Sequence, residues 1–349
     1  MAGRRNARPF WEDYSDEELL ELRFCELGLA LDSCPLASGV LQLMDELAAK
    51  GVAFRPHVWI SSEWFSPDGV AGIAVPFFLA HPRLTALERH QMHDVEGGSY
   101  EECMRLLRHE TGHAIDTAYR FYRRAGYREL FGNTASPYNS YYMPRPSSRA
   151  HVHNLDRWYA QSHPSEDFAE TFAVWLDPGS RWWSRYRNWK ALEKLRYVDQ
   201  LVGEVGARAP RGVLRERVES LPQLTETLGE YYVLKRRHYS IGRSKFYDMD
   251  LVRLFPPPGP RTRSVSAASV LAKLRVEIVR LVRSSSRHDK YSVEQGLGEL
   301  LLRSRRLGLR VATLRYTDPV QRSRIALASA RIVLAFLRRL EQGRHRLVR

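Results

Sequence analysis

The chain has 349 residues, 44% hydrophobic and 27% charged, a composition that fits a soluble globular protein of one or two domains and excludes a fibrous or disordered one. Three cysteines, Cys25, Cys34 and Cys103, are too few and odd in number for a disulfide framework, which points to a reducing, cytoplasmic setting. The net charge of +14 is unevenly placed: residues 1–240 hold 30 Arg and Lys against 32 Asp and Glu, whereas residues 241–349 hold 24 against 8. The basic excess describes the C-terminal third alone.

The first residues have no apolar core segment of the signal-peptide kind, so no signal peptide is expected. The longest apolar run, residues 69–80, contains Pro76 and is too short to span a membrane. Residues 1–14 are expected to be a flexible arm. Ser15 and Glu18 have capping-box spacing and start a short helix through about Arg23. Residues 22–31 read as a strand or extended piece around Cys25. Leu36 to Lys50 has helical apolar spacing and ends at Gly51. Residues 52–60 and 70–79 read as two antiparallel strands joined by the Pro67-Asp68-Gly69 turn, with Pro76 at an edge or bulge.

Ser99 and Glu102 form a second capping-box pattern, which predicts a helix over 100–124. Residues 126–160, rich in Pro, Ser, Asn and Tyr, read as a long irregular excursion of the kind that often carries function. Another helix opens at Pro164 and stops at Asp177-Pro178-Gly179. Further helices are expected at 191–201 and 221–235. Pro256-Pro257-Pro258-Gly259-Pro260 marks a boundary, and 270–282, 293–314 and 320–340 read as amphipathic helices with arginine-rich polar faces. The expected domains are thus an arm over 1–14, a main domain over 15–255, a linker over 256–268 and a basic helical extension over 269–349.

The middle of the 100–124 helix carries His109-Glu110-Thr111-Gly112-His113, an HExxH pattern. Residues four apart share a helix face, so His109 and His113 can ligate one zinc ion, and Glu110 can act as the base that takes a proton from a metal-bound water. A catalytic zinc takes three protein ligands. The metzincin extension HExxHxxGxxH is excluded, because Asp116 and Tyr119 stand at its Gly and His positions. Glu166 and Glu170, four apart on the next helix beside Ala169 and Ala173, fit instead: one as ligand and the other orienting a ligand histidine. His151, His153 and His163 are rival third ligands or substrate contacts, and all three stay outside the expected metal set. Asp116 either orients a histidine or caps a local backbone group, and both readings stay open.

The runs Leu22-Arg23-Phe24-Cys25-Glu26-Leu27-Gly28-Leu29 and Glu63-Trp64-Phe65-Ser66-Pro67-Asp68-Gly69, the HExxH block and the block from Tyr159 to Ala173 together resemble the bacterial family of putative zinc-binding metallopeptidases, over about residues 15–255. The resemblance implies an α+β, zincin-like metalloprotease domain with a small β-sheet beside the HExxH helix, and one Zn2+ ion. The order of ligands in gluzincins of the thermolysin and lethal-factor kinds implies that Glu166 is the ligand and Glu170 its neighbour. Tyr159 stands at the offset from the ligand glutamate at which lethal-factor-type proteases carry a tyrosine, which implies a hydrogen bond to the oxyanion. The expected function is zinc-dependent hydrolysis of a peptide or protein substrate, which one strand edge of the 52–79 pair would bind by β-augmentation.

Two other functions compete. One is a non-catalytic zinc-containing binding protein, against which Glu110 argues. The other is a nucleic-acid-associated, SprT-like protease using the basic segment, although such proteins are expected to use a third histidine. The segment 261–349 can contact nucleic acid, lie on an anionic membrane surface, or form a solvated bundle.

Overall fold

Both capping boxes read in the sequence close in the computed structural model, which describes residues 8–92, 94–139, 141–210, 214–238, 245–342 and 347–348. Ser15 caps α1 (Asp16–Glu21) with reciprocal bonds to Glu18, and Ser99 does the same with Glu102 at the helix Tyr100–Tyr119. The described residues fall into two compact units. The first is residues 1–137, 149–155 and 163–239, and the second is residues 138–148, 156–162 and 240–349.

The first unit is mostly helical, with α2 (Leu36–Ala49), α3 (Pro82–Met92), α4 (Tyr100–Tyr119), α5 (Ala125–Phe131), α6 (Pro164–Leu176), α7 (Trp182–Arg185), α8 (Ala191–Val205) and α9 (Leu228–His238). Gly51, at φ +70, ends α2 as expected of a C′ glycine. Its sheet has two strands, β1 (His57–Ser61) and β2 (Gly72–Pro76). They pair in parallel, with Trp59 opposite Ala74, which corrects the antiparallel expectation. The turn at 67–69 does reverse the chain, but it brings Phe65, not β1, antiparallel to β2. Ala74 donates to Phe65 O at 2.8 Å and accepts from Phe65 N at 3.4 Å. Ala74 therefore offers no free edge to an extended peptide.

Other expectations also change. Residues 22–31 are not a strand but two single-turn helices, Phe24–Glu26 and Leu31–Ser33, with Phe24 buried edge-on against Phe77. The α4 helix stops at Tyr119 because Arg120 takes a left-handed conformation, φ 55. Residues 1–7 of the expected arm lie outside the described residues. Trp11, within the rest of it, is fully buried and donates to Leu27 O at 3.0 Å, so residues 8–14 are held to the core.

The second unit contains β3 (Tyr141–Tyr142), α10 (Asp248–Leu254), β4 (Ser264–Ser266), α11 (Ala267–Lys273), α12 (Arg275–Ser285), α13 (Lys290–Arg306), β5 (Arg310–Ala312), α14 (Thr313–Thr317), α15 (Pro319–Glu341) and β6 (Leu347–Val348). Its core joins Leu251, Leu271, Ile278, Leu297, Val333 and Phe336. Because Tyr247, Leu251 and Phe255 bury in this core, the boundary precedes the proline run: residues 256–260 lie inside the second unit rather than forming a linker at 256–268. The expected main domain therefore ends before 255, and the basic helical unit begins before 269. Segments 138–148 and 156–162, which the sequence placed in the main domain, also belong to the second unit. Arg157 and Trp158 there adopt left-handed conformations, φ 65 and 57. Gln295 accepts from Arg157 N at 2.7 Å, and Glu299 accepts from its guanidinium at 2.8 Å.

Candidate metal centre

The site is built where α4 crosses α6. Close approach needs small residues, and the contact is Gly112 against Ala169: a Cβ at Gly112 would lie 2.7 Å from Ala169 Cα and 3.0 Å from its carbonyl oxygen. His163 caps α6, its Nδ1 accepting from Ser165 N, and Pro164 occupies the first turn, where its missing N–H costs nothing. Three residues further on, Glu166 faces the two histidines of α4.

Three donor atoms converge. Nε2 of His109 and Nε2 of His113 are 3.2 Å apart, and Oε2 of Glu166 is 3.2 Å from the first and 3.1 Å from the second. Tetrahedral zinc with bonds of 2.0–2.1 Å holds its ligand atoms about 3.3 Å apart, so the triangle fits such an ion. Among the described residues this is the group of His, Cys, Asp and Glu side chains arranged to hold a metal. His109 and Glu166 are buried, while the His113 side chain is 19% exposed and forms the open side.

The electrostatics express the same geometry. Burial pulls His109 down, but its bonds with Glu166 and Glu170 outweigh this and hold it well above the usual imidazole range. Burial pushes Glu166 up, and the two imidazoles overcome this to hold it well below the usual carboxylate range. Three electron-rich atoms this close favour positive charge among them, and this is a group that could hold a metal ion.

Glu170 is fully buried and accepts from three donors: His109 Nδ1 at 2.8 Å, Asn154 Nδ2 at 2.9 Å and Leu155 N at 2.8 Å. A carboxylate on Nδ1 fixes the tautomer that turns the Nε2 lone pair toward the metal position. Arg105 in turn donates to Asn154 O at 3.0 Å. Sequence reading missed Asn154 and Arg105, because neither stands in a recognisable pattern with the ligands. It also missed Gly112, for which Ala169 was the available signal. Glu110, adjacent to His109, is 7% exposed; burial pushes its carboxyl up and the two imidazoles partly pull it back.

The other candidates lie elsewhere. Asp116 accepts from Tyr122 N at 2.9 Å and from Tyr127 OH at 3.1 Å, bonds that fasten the turn after α4. Burial raises its carboxyl to about 6. His163 caps α6 through Nδ1, and its Nε2 lies 2.9 Å from Ser136 O. His153 packs edge-on against Trp189, and His151 lies 3.7 Å from Asp167. None of these three histidines enters the donor triangle. Tyr159 belongs to the second unit, where it packs half-buried on the helical core, edge-on to Tyr142.

No curated protein and no solved structure matches this chain. A family model does match, and its span contains α4, α6 and every residue of the donor triangle. Residues 84–179 match the family described as putative zinc-binding metallo-peptidase.

Proposed function

We propose that the chain is a zinc-dependent peptidase of the gluzincin type, acting on a peptide or protein substrate. The observation that carries this is the His109–His113–Glu166 triangle with Glu110 beside it on the same helix. His109, His113 and Glu166 would hold one zinc ion. When bound, zinc supplies Lewis acidity, which acidifies water and polarises a carbonyl. Glu110 takes the proton lost by the attacking water and returns it to the amine as the C–N bond breaks. Glu170 keeps His109 in the tautomer the site needs, and Asn154 and Leu155 N keep Glu170 in place. Tyr159 is assigned to the oxyanion on its seven-residue offset from Glu166 alone.

Glu110→Gln removes the base and spares the donor triangle. The purified variant should retain one zinc per chain while peptide cleavage falls at least about a hundredfold. Cleavage at the wild-type rate would overturn the mechanism. His109→Ala should lose the metal by elemental analysis, and unchanged zinc content would remove the site. Tyr159→Phe should lower turnover at constant zinc content, and unchanged turnover would discard its role.

A further inference from the structure

In the second unit most acids are paired or cap helices, and most arginines are exposed. Asp248 forms a two-pronged ion pair with Arg303, Glu299 pairs with Arg157, and Glu294 pairs with Arg275. Asp289 caps α13 and Asp318 caps α15. Five of the eight acids in residues 241–349 are thereby committed to internal bonds, whereas most of the 24 basic residues stand outside the core. Each ion pair removes one base with one acid, so the basic excess of this unit remains on its surface.

On α15 the exposed residues are ordered. Val320, Arg324, Leu327, Arg331, Ala335 and Arg338 follow one another at three- and four-residue spacing, so they form a single stripe along one helix face. All six are exposed, Val320 at 61% and Leu327 at 45%, and the opposite face buries Ile325, Val333 and Phe336. The stripe runs for about 27 Å at 1.5 Å per residue. Apolar and arginine side chains alternate along it, and the one acid of α15, Glu341, is its last residue. On α12, which packs beside α15, Val276, Arg280 and Arg283 repeat the pattern, with Val276 83% exposed.

We propose that the outer stripe of α15 seats the second unit on an anionic phospholipid bilayer. The partner must be negative, to match an arginine row without acids, and it must also accept aliphatic side chains between the arginines. A headgroup layer does both: guanidinium groups meet phosphate and carboxylate, while Val320 and Leu327 reach the acyl boundary below. Nucleic acid satisfies the arginines but sets the aliphatics against phosphates with nothing apolar to meet them. No helix among the described residues is long and apolar enough to cross a membrane, so the contact is peripheral. This proposal does not rest on the peptidase reading.

The test is co-sedimentation of the full chain with vesicles of phosphatidylcholine, with and without phosphatidylserine, and in parallel a titration with duplex DNA. Binding should need phosphatidylserine and weaken from low salt to about 0.15 M. The doubly reversed variant Arg324→Glu/Arg331→Glu should lose at least about tenfold in vesicle affinity. Leu327→Ser, a change on the solvent face, should lose about threefold or more with its circular-dichroism melt unchanged. Failure to sediment with phosphatidylserine vesicles at low salt overturns the proposal. So does Leu327→Ser binding vesicles like wild type, because the stripe would then act by charge alone. Binding to DNA at concentrations where vesicles are not bound would assign the arginines to nucleic acid instead.

Discussion

Gly112 fixes how near the two helices of the candidate metal centre come, and at this position packing must be weighed against helix propensity. In an exposed helix, replacing Gly with Ala is worth about 1 kcal/mol in favour of the helix. Here the new methyl would meet Ala169 backbone at 2.7 Å, and backbone cannot swing aside. Overpacking of this kind costs roughly 1–3 kcal/mol, so the net sign is destabilising. Gly112→Ala should therefore lower the melting temperature and, by moving α6 away from α4, weaken zinc binding at least about tenfold. A variant with wild-type zinc affinity in a chelator competition would show that the helices need not approach this closely. Glu170→Gln should loosen zinc about 10–100-fold with the fold retained, the usual loss when the partner of a ligand histidine is altered. Unchanged affinity would mean that His109 is oriented by something other than Glu170.

One guanidinium joins three elements of the first unit. Arg108, on α4, makes a two-pronged pair with Glu46 on α2, at 2.8 and 2.7 Å, and lies 3.5 Å from Asp177 at the end of α6. Both partners of the main pair are buried, so removing one strands a charge, at roughly 3–5 kcal/mol, whereas replacing both with apolar groups does not. Arg108→Met should cost about that much in denaturant unfolding, and adding Glu46→Met should recover most of it; a double variant as unstable as the sum of the singles would contradict this. The pair is invisible in the sequence because its partners are 62 residues apart. The same distinction runs through the fold. Patterns within four residues were legible: the boxes at Ser15 and Ser99, the His109–His113 spacing, and the Glu166–Glu170 face. Non-local choices were not. The turn at 67–69 was read correctly, but which strand Phe65 or Trp59 would border depends on the rest of the core. Likewise, no local signal shows that residues 156–162 join α13, since their bonds go to Gln295 and Glu299, more than 130 residues later.

At the scale of the molecule, charge is segregated, and the buried acids of the second unit make its stability depend on pH. Glu299 is buried, which alone would raise its carboxyl, but Arg157 and the Tyr247 hydroxyl, which donates at 2.9 Å, hold it down at about 2. The folded value lies below the ordinary carboxylate value of 4.5. The contribution is therefore fully present above pH 4.5 and is lost as the pH falls from there toward 2. A shift of that size is on the order of 3 kcal/mol. Glu299→Gln keeps the shape and removes the charge, so at pH 7 the wild type should protect the amides of α13 from hydrogen exchange more strongly than the variant does. The difference should shrink steadily below pH 4.5, since protonation makes the wild-type residue as neutral as the glutamine. Were the difference equally large at pH 3 and pH 7, the Arg157–Glu299 charge pair would not be what holds residues 156–162 to α13, and the uncharged bond from Arg157 N to Gln295 would have to carry that role.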